Sequence, residues 1–235
     1  MKKKLNQKLI NLIEYYNLIN SNLLLSNTPI KRNNNFITSS LSFEGTKEQK
    51  LEKLKKSMTL IKNCELKKSA NNLVFSDGNK DSKLMIIGEG PGAQEDIAGT
   101  PFIGRAGKLL DKMLESIQLD RKKVYISNVV NYRPPENRRP TDDEIARYLP
   151  YLISHIEIII NPKIVLLLGS TALNSIIGSD EVISVARGKW KQIKIGTVKP
   201  WVIASFHPAF LMRQPQQKKM AWIDLKMIRD KIKKL

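Results

Sequence analysis

The sequence predicts an α/β protein in which a four-stranded parallel sheet is covered by helices on both faces. Four short apolar runs have the length of buried strands, and stretches with helical spacing follow the first three of them. Each run ends in a polar or Gly/Pro-rich segment, namely "GEGPGAQED", "NVVNYRPPENRRP", "GSTA" and "HPAFLMRQP". Strands that alternate with helices form parallel sheets, which bind ligands at the carboxyl ends of their strands. The pattern therefore predicts one crevice at that edge.

The first 45 residues lie outside this pattern. Residues 1–25 are amphipathic, and polar residues interrupt their apolar positions, so they predict a helix rather than a signal peptide. The Asn- and Ser-rich segment that follows is typical of a linker. We expect an N-terminal helix plus linker over residues 1–45 and an α/β domain over residues 46–235. Docking to a partner, contact with DNA and poor order are all open for residues 1–45.

The domain begins with a helix predicted over residues 47–62, where apolar residues recur at helical spacing. The predicted strands are Leu84–Ile87, Val124–Ser127, Ile164–Leu168 and Val202–Phe206. The predicted helices between and after them are Ala106–Ile117, Thr141–Ile159 and Thr171–Ile177. Thr141 and Glu144 have the spacing of a capping box, and the acidic residues after Thr141 suit the positive end of the helix dipole.

The net charge of +18 is the strongest global feature of the chain, and it is spread along the sequence. A field of that sign attracts polyanions, so nucleic acid is the favoured partner. The alternative is a Lys- and Asn-rich composition that only makes a solvated surface. No apolar run reaches the roughly 18 residues that span a bilayer, so we expect no membrane partner. The single cysteine, Cys64, excludes a disulfide framework and a metal site built from several cysteines.

The Gly-rich loop "GEGPGA" differs from the loops that bind phosphates. It reads G-x-G-x-G, whereas the dinucleotide fingerprint is G-x-G-x-x-G, and no G-K-S/T follows as in a P-loop. Pro91 removes an amide donor, and Glu89 would repel a pyrophosphate. The loop is better suited to a neutral or cationic group or a water, and a tight turn without a ligand is equally open.

Three further residues near the predicted crevice suit the binding of a base. Phe102 offers a flat face for stacking, although a Phe at such a position usually belongs to the core. Asn128 carries a donor and an acceptor that match a base edge, with a turn cap as the alternative. His207 follows an apolar strand and precedes a proline, and an imidazole can donate to a developing oxyanion. His155 lies in an apolar helical stretch and is interpreted as structural.

The segments "GEGPGAQED", "GTPFIGRAGKLLDKML", "VYISNVVNYRPPENRRPT" and "FHPAFLMR" together resemble the family 4 uracil-DNA glycosylases of bacteria and archaea, over about residues 61–228. The resemblance implies a three-layer α/β/α sandwich. It also implies a monofunctional hydrolase that flips uracil out of single- or double-stranded DNA and cleaves the N-glycosidic bond, which starts base excision repair. We further expect a monomer in the cytoplasm, associated with the nucleoid. The alternative is a catalytically inactive DNA- or uracil-binding module of the same fold.

The resemblance also implies a set of site residues. The catalytic residues would be Glu89, Glu95 and His207. The residues that bind uracil would be Gly90, Phe102 and Asn128. The residues that fill the gap left by the base and hold the flanking phosphate would be Leu211, Met212 and Arg213. The division of roles between the two glutamates, which could position water or exclude a methyl group, stays open.

Family 4 enzymes usually hold a [4Fe–4S] cluster on four cysteines, and this sequence departs from that pattern. Tyr132 stands in "YRPP" where the family has "CRPP", and Tyr148 and Ile61 align with two further cysteines, so that only Cys64 remains. One thiolate does not hold such a cluster. We therefore expect no metal and no cluster, and an apolar plug of these four side chains in its place.

Overall fold

The structure is a computed structural model that describes residues 40–159, 163–178 and 181–235. The helix predicted over residues 1–25 and most of the linker lie outside the described residues. Within them the chain forms a six-stranded sheet in the order β1-β3-β2-β4-β6-β5. The strands are β1 (Asp77–Gly78), β2 (Leu84–Gly88), β3 (Tyr125–Asn128), β4 (Ile164–Leu168), β5 (Lys191–Gln192) and β6 (Trp201–Ser205).

The four central strands, β3, β2, β4 and β6, are parallel, which confirms the predicted sheet. Their bounds lie within one residue of the predicted ones. The two outer strands, β1 and β5, pair antiparallel with the edges of this sheet. They were not predicted, because a strand of two residues is too short to show a period in the sequence.

Nine α-helices surround the sheet in the described part of the chain. They are α1 (Lys47–Thr59), α2 (Glu65–Ser69), α3 (Ala93–Ala98), α4 (Arg105–Glu115), α5 (Asp142–Ile158), α6 (Ser170–Ile177), α7 (Ile183–Ala186), α8 (Pro208–Arg213) and α9 (Lys218–Lys233). The capping box predicted before α5 is confirmed. Thr141 Oγ1 accepts from the amide of Glu144 at 3.2 Å, and Glu144 Oε2 accepts from the amide of Thr141 at 2.8 Å.

The central strands are buried on both faces, as their apolar runs predicted. Alternate residues of β2, such as Met85 and Ile87, pack in the core that contains α5 and α6, while Leu84 and Ile86 pack in the core that contains α4 and α9. This alternation is the period of two of a β-strand. The result is the predicted sandwich of helix, sheet and helix. No described helix combines the length and the apolar character needed to cross a bilayer.

The parallel register brings the carboxyl ends of the four central strands together. Gly88 at the end of β2 is level with Asn128 at the end of β3, and Leu168 at the end of β4 is level with Ser205 at the end of β6. The segments that follow these strands therefore leave the sheet at one edge. That edge carries the polar residues singled out in the sequence.

Candidate active site

A hollow of about 190 Å³ opens at this edge of the sheet. Its wall includes five of the predicted site residues, Glu89, Gly90, Glu95, Phe102 and His207, together with Asn137. A cavity of about 150 Å³ in a protein can take up a benzene ring, so a pyrimidine ring fits this hollow by size. A second hollow of about 460 Å³ adjoins it, and Glu89, Asn137 and His207 lie on the walls of both.

Phe102 lies on the wall of the hollow in an uncommon backbone conformation. Its φ of 56° is left-handed, a region that aromatic residues rarely adopt. Its ring centroid is 5.6 Å from that of His207, and the two rings are tilted by 33°. A Cβ on Gly107 would overlap the carbonyl oxygen of Phe102, so only glycine lets α4 begin this close to the loop.

Hydrogen bonds from Arg121 hold the loop of Phe102 in place. Arg121 donates to the carbonyl oxygen of Pro101 at 3.1 Å and to that of Phe102. The guanidinium is itself held by Asp77 at 2.6 Å and by Asp111 at 2.8 Å. These bonds hold Phe102 in its left-handed conformation.

Glu95 ties the same loop to α3. Its Oε1 accepts from the amide of Gly104 at 2.8 Å, two residues after Phe102. Its carboxylate therefore supports the wall of the hollow as well as facing it. Glu89, in contrast, accepts a hydrogen bond from the side chain of Thr171, which follows β4. The two glutamates therefore have different hydrogen-bond partners.

His207 is held as a neutral imidazole at the end of β6. Its Nδ1 accepts from the amide of Ala209 at 3.2 Å, so the proton of the neutral ring lies on Nε2. Burial, with the positive charge of Arg213 as a second cause, lowers the pKa of His207 to about 4. Near neutral pH the ring is therefore an uncharged donor through Nε2. Its Cβ packs 3.1 Å from the place of a Cβ on Gly169, which has a φ of 88°.

Asn128 lies close to the edge of the Phe102 ring and is not on the wall of the hollow. The residue is 2% exposed, and its Oδ1 is buried without a hydrogen-bond partner among the described residues. Oδ1 and the edge of the Phe102 ring both lie 2.5 Å from the place of a Cβ on Gly88, so they are neighbours. An unpaired buried oxygen costs about 1–3 kcal/mol, which a ligand donor at this point would recover.

Comparison with known proteins identifies the family of this fold and site. The family model described as the uracil DNA glycosylase superfamily matches residues 75–226. The chain belongs to the uracil-DNA glycosylase superfamily. The predicted resemblance is thereby confirmed.

Individual relatives point to one branch of the superfamily. The type-4 uracil-DNA glycosylase of Thermotoga maritima is 40% identical over 169 residues, which cover 72% of this chain and 86% of the relative. That of Archaeoglobus fulgidus is 36% identical over 184 residues, covering 77% and 92%. That of Sulfurisphaera tokodaii is 38% identical over 185 residues, covering 77% and 84%.

The residues predicted to contact DNA in this superfamily member occupy different environments. Leu211 is 1% exposed and packs with Met113, Phe206 and Leu225, so its side chain does not fit the predicted wedge in this conformation. Its side chain points inward, where it packs α8 against α4 and α9. Met212 is half-buried and Arg213 is exposed, and Arg213 lies on the wall of the second hollow.

Asn137 also lies at the candidate site, although the sequence did not single it out. It lies on the walls of both hollows with a left-handed φ of 56°, and its Oδ1 accepts from Arg133 Nε at 2.9 Å. The sequence signal that could have indicated it is the segment "PPEN", which ends in Asn137. Asparagine adopts the left-handed conformation more readily than most residues. Arg138, on the wall of the first hollow, is paired with Glu144 at 2.6 Å and lowers the pKa of that carboxyl.

The positions aligned with the iron–sulfur ligands of the family all belong to the buried core on one face of the sheet. The four residues are Ile61, Cys64, Tyr132 and Tyr148. Cys64 Sγ is 3.3 Å from Tyr148 Oη, and burial, with Cys64 as a second cause, raises the pKa of both tyrosines. A [4Fe–4S] cluster needs four thiolates, so one thiol, two phenols and an isoleucine do not fit it. Within residues 40–159, 163–178 and 181–235, no three His, Cys, Asp or Glu side chains are grouped so as to hold a metal ion.

Proposed function

We propose that this protein is a monofunctional uracil-DNA glycosylase that hydrolyses the bond between uracil and deoxyribose. The observation that carries the proposal is the unpaired, buried Oδ1 of Asn128 beside the Phe102 ring. N3–H of uracil would donate to this oxygen, and the amide NH₂ of Asn128 would donate to O4. Cytosine offers an acceptor at N3 and a donor at N4, so it meets the opposite pattern.

The base would enter from a flipped-out nucleotide. The hollow lies at the surface edge of the sheet, and a base inside a duplex reaches such a site only by leaving the stack. Because the edge of the Phe102 ring is close to Asn128 Oδ1, we propose that the ring shifts as uracil enters and then stacks on its face. Such stacking contributes about 1–3 kcal/mol per base.

The chemistry would use the two charges that develop as the bond breaks. Uracil leaves as an anion, and the neutral His207 donates through Nε2 to the uracil oxygen on which that charge accumulates. The sugar becomes a cation, which the carboxylate of Glu89 stabilises. The oxygen of a water then bonds to the anomeric carbon, and the proton that this water loses neutralises the uracil anion. Glu95 supports the loop of Phe102 and contributes a second negative charge to the wall.

The second hollow suits the DNA backbone. Its wall carries Arg139, Ser170 and Arg213, and it adjoins the first hollow along Glu89 and His207. Two guanidinium groups and a hydroxyl in a hollow that adjoins the base site would hold the phosphate that flanks the flipped nucleotide. Since Leu211 is buried, we infer that the half-buried Met212 fills the gap in the stack instead. The net charge of +18 supports association with DNA, and with the nucleoid, beyond these contacts.

Release of uracil from a single-stranded oligonucleotide tests the proposal. We expect free uracil and an intact strand with an abasic site, because among the described residues no lysine lies on the walls of the two hollows to cleave the backbone. Matched oligonucleotides with cytosine, hypoxanthine and mismatched thymine at the same position measure the breadth of the pocket. Binding of uracil-containing DNA without release of uracil would instead support the inactive module.

We also propose that the enzyme works without an iron–sulfur cluster. The purified protein should then contain no stoichiometric iron. The packing of Cys64 against Tyr148 leaves a thiol that serves as a side chain of the core rather than as a ligand. Iron analysis and the visible spectrum of protein purified without oxygen check this. Cys64→Ser should keep the rate of uracil release within about twofold of wild type, as expected for a substitution that removes no ligand. One cluster per chain, lost in Cys64→Ser, would contradict the proposal.

A further inference from the structure

Glu89 is attached to both neighbours of its strand. It follows β2, and its backbone carbonyl accepts from the amide of Val130, after β3, at 3.2 Å. Its side chain reaches the segment after β4, where Thr171 donates its hydroxyl hydrogen to Oε2. In the part of the chain that the structure describes, no hydrogen bond reaches the other carboxylate oxygen, Oε1. Since Glu89 lies on the walls of both hollows, Oε1 is the oxygen left for a ligand.

The hydroxyl of Thr171 is in the interior of the protein. The residue is 1% exposed and is the second residue of α6, and its carbonyl oxygen accepts from Ser175 Oγ at 2.6 Å. A buried hydroxyl needs a partner, and the partner here is a carboxylate at the site. Hydrogen bonds to charged groups are about twice as strong as those between neutral groups, so this bond restricts the carboxylate to one orientation.

We propose that Thr171 is a positioning residue, which acts on uracil excision through the orientation of Glu89. The proposal rests on the proposed glycosylase activity. The sugar cation and the attacking water exist at the site only as the bond breaks, so a misdirected Oε1 would cost transition-state stabilisation rather than binding of DNA. The effect of losing the hydroxyl should therefore fall on kcat and leave KM nearly unchanged.

Thr171→Val tests this with a side chain of the same shape that lacks the hydroxyl. We expect its single-turnover rate of uracil release to fall by about ten- to a hundredfold, the range for a lost hydrogen bond to a charged group, with KM within about twofold of wild type. Thr171→Ser keeps the hydroxyl and should restore the rate to within about threefold. Ser175→Ala removes another buried hydroxyl from the same helix and controls for loss of packing in α6.

A double-mutant cycle with Glu89→Ala identifies the route of the effect. If Thr171 acts through Glu89, Thr171→Val should change the rate of the Glu89→Ala enzyme by less than about twofold. Equal losses in both backgrounds, a loss confined to KM, or wild-type activity of Thr171→Val would each overturn the proposal. A wild-type protein that releases no uracil would instead overturn the proposed function, so the two failures are distinguishable. Thermal unfolding of each variant shows whether it is folded. If Thr171→Val is unfolded, the Thr171→Ser variant, which keeps the hydroxyl, is compared with wild type instead.

Discussion

We expect His207→Ala to lower the single-turnover rate of uracil release by about 100- to 1,000-fold, the usual cost of removing one donor to a developing oxyanion. The substitution removes the Nε2–H that would face the uracil anion. Binding of uracil-containing DNA should change little, because the charge on the base develops only as the bond breaks. His207→Gln, which keeps an amide donor, should retain more activity than His207→Ala. Equal rates for His207→Ala and wild type would show that another group donates.

The pH dependence of the rate gives a second measure of the same residue. Burial and Arg213 lower the pKa of His207 to about 4, so the ring stays neutral from alkaline pH down to that value. Protonation would place a hydrogen on Nδ1 and break its bond from the amide of Ala209. The contribution of His207 should therefore be constant above about pH 5 and decline as the pH falls through about 4. A His207-dependent decline near the ordinary value of about 6.5 would contradict this environment.

The sheet could be predicted from the sequence because its signals are local. The apolar runs of β2, β3, β4 and β6 and the capping box at Thr141 each depend on neighbouring residues, and all are confirmed. The order of residues at the carboxyl edge then follows from parallel pairing. The positions of the lost cluster ligands could also be predicted, since residues that bind one cluster in relatives must lie within a few bond lengths of each other.

The interior of the site could not be read in the same way. Thr171 and Glu89 are 82 residues apart in sequence, and nothing local connects a helix start with the loop after another strand. The inward direction of Leu211 depends on the space between α4 and α9, and α9 was itself not predicted. The closeness of Phe102 to Asn128 depends on the left-handed backbone of Phe102 and on Gly88, which has no side chain to keep the two apart. Each of these features is a property of packing rather than of sequence pattern.

The second prediction with a large effect concerns the choice of base, and it uses Asn128→Asp, which replaces an amide by a carboxyl group of the same shape. An ionised carboxylate accepts but cannot donate, so it would still take N3–H of uracil but would repel O4. We expect uracil release to fall by about a hundredfold, the upper part of the range for a bidentate contact with a base. Discrimination against cytosine should narrow, because its N4 amino group can donate to the new oxygen. Paired oligonucleotides with uracil or cytosine at one position measure both effects.

Asn131→Asp is the matched control for Asn128→Asp. Asn131 is also buried, three residues further along the same segment, but its amide donates to the carbonyl oxygens of Val74 at 2.8 Å and Phe75 at 3.1 Å. Its substitution should lower the thermal stability without changing the preference between uracil and cytosine, since these bonds hold the segment before β1. If Asn128→Asp behaves like this control, with lower stability and an unchanged choice of base, the unpaired oxygen of Asn128 serves the fold and a different group reads the pyrimidine.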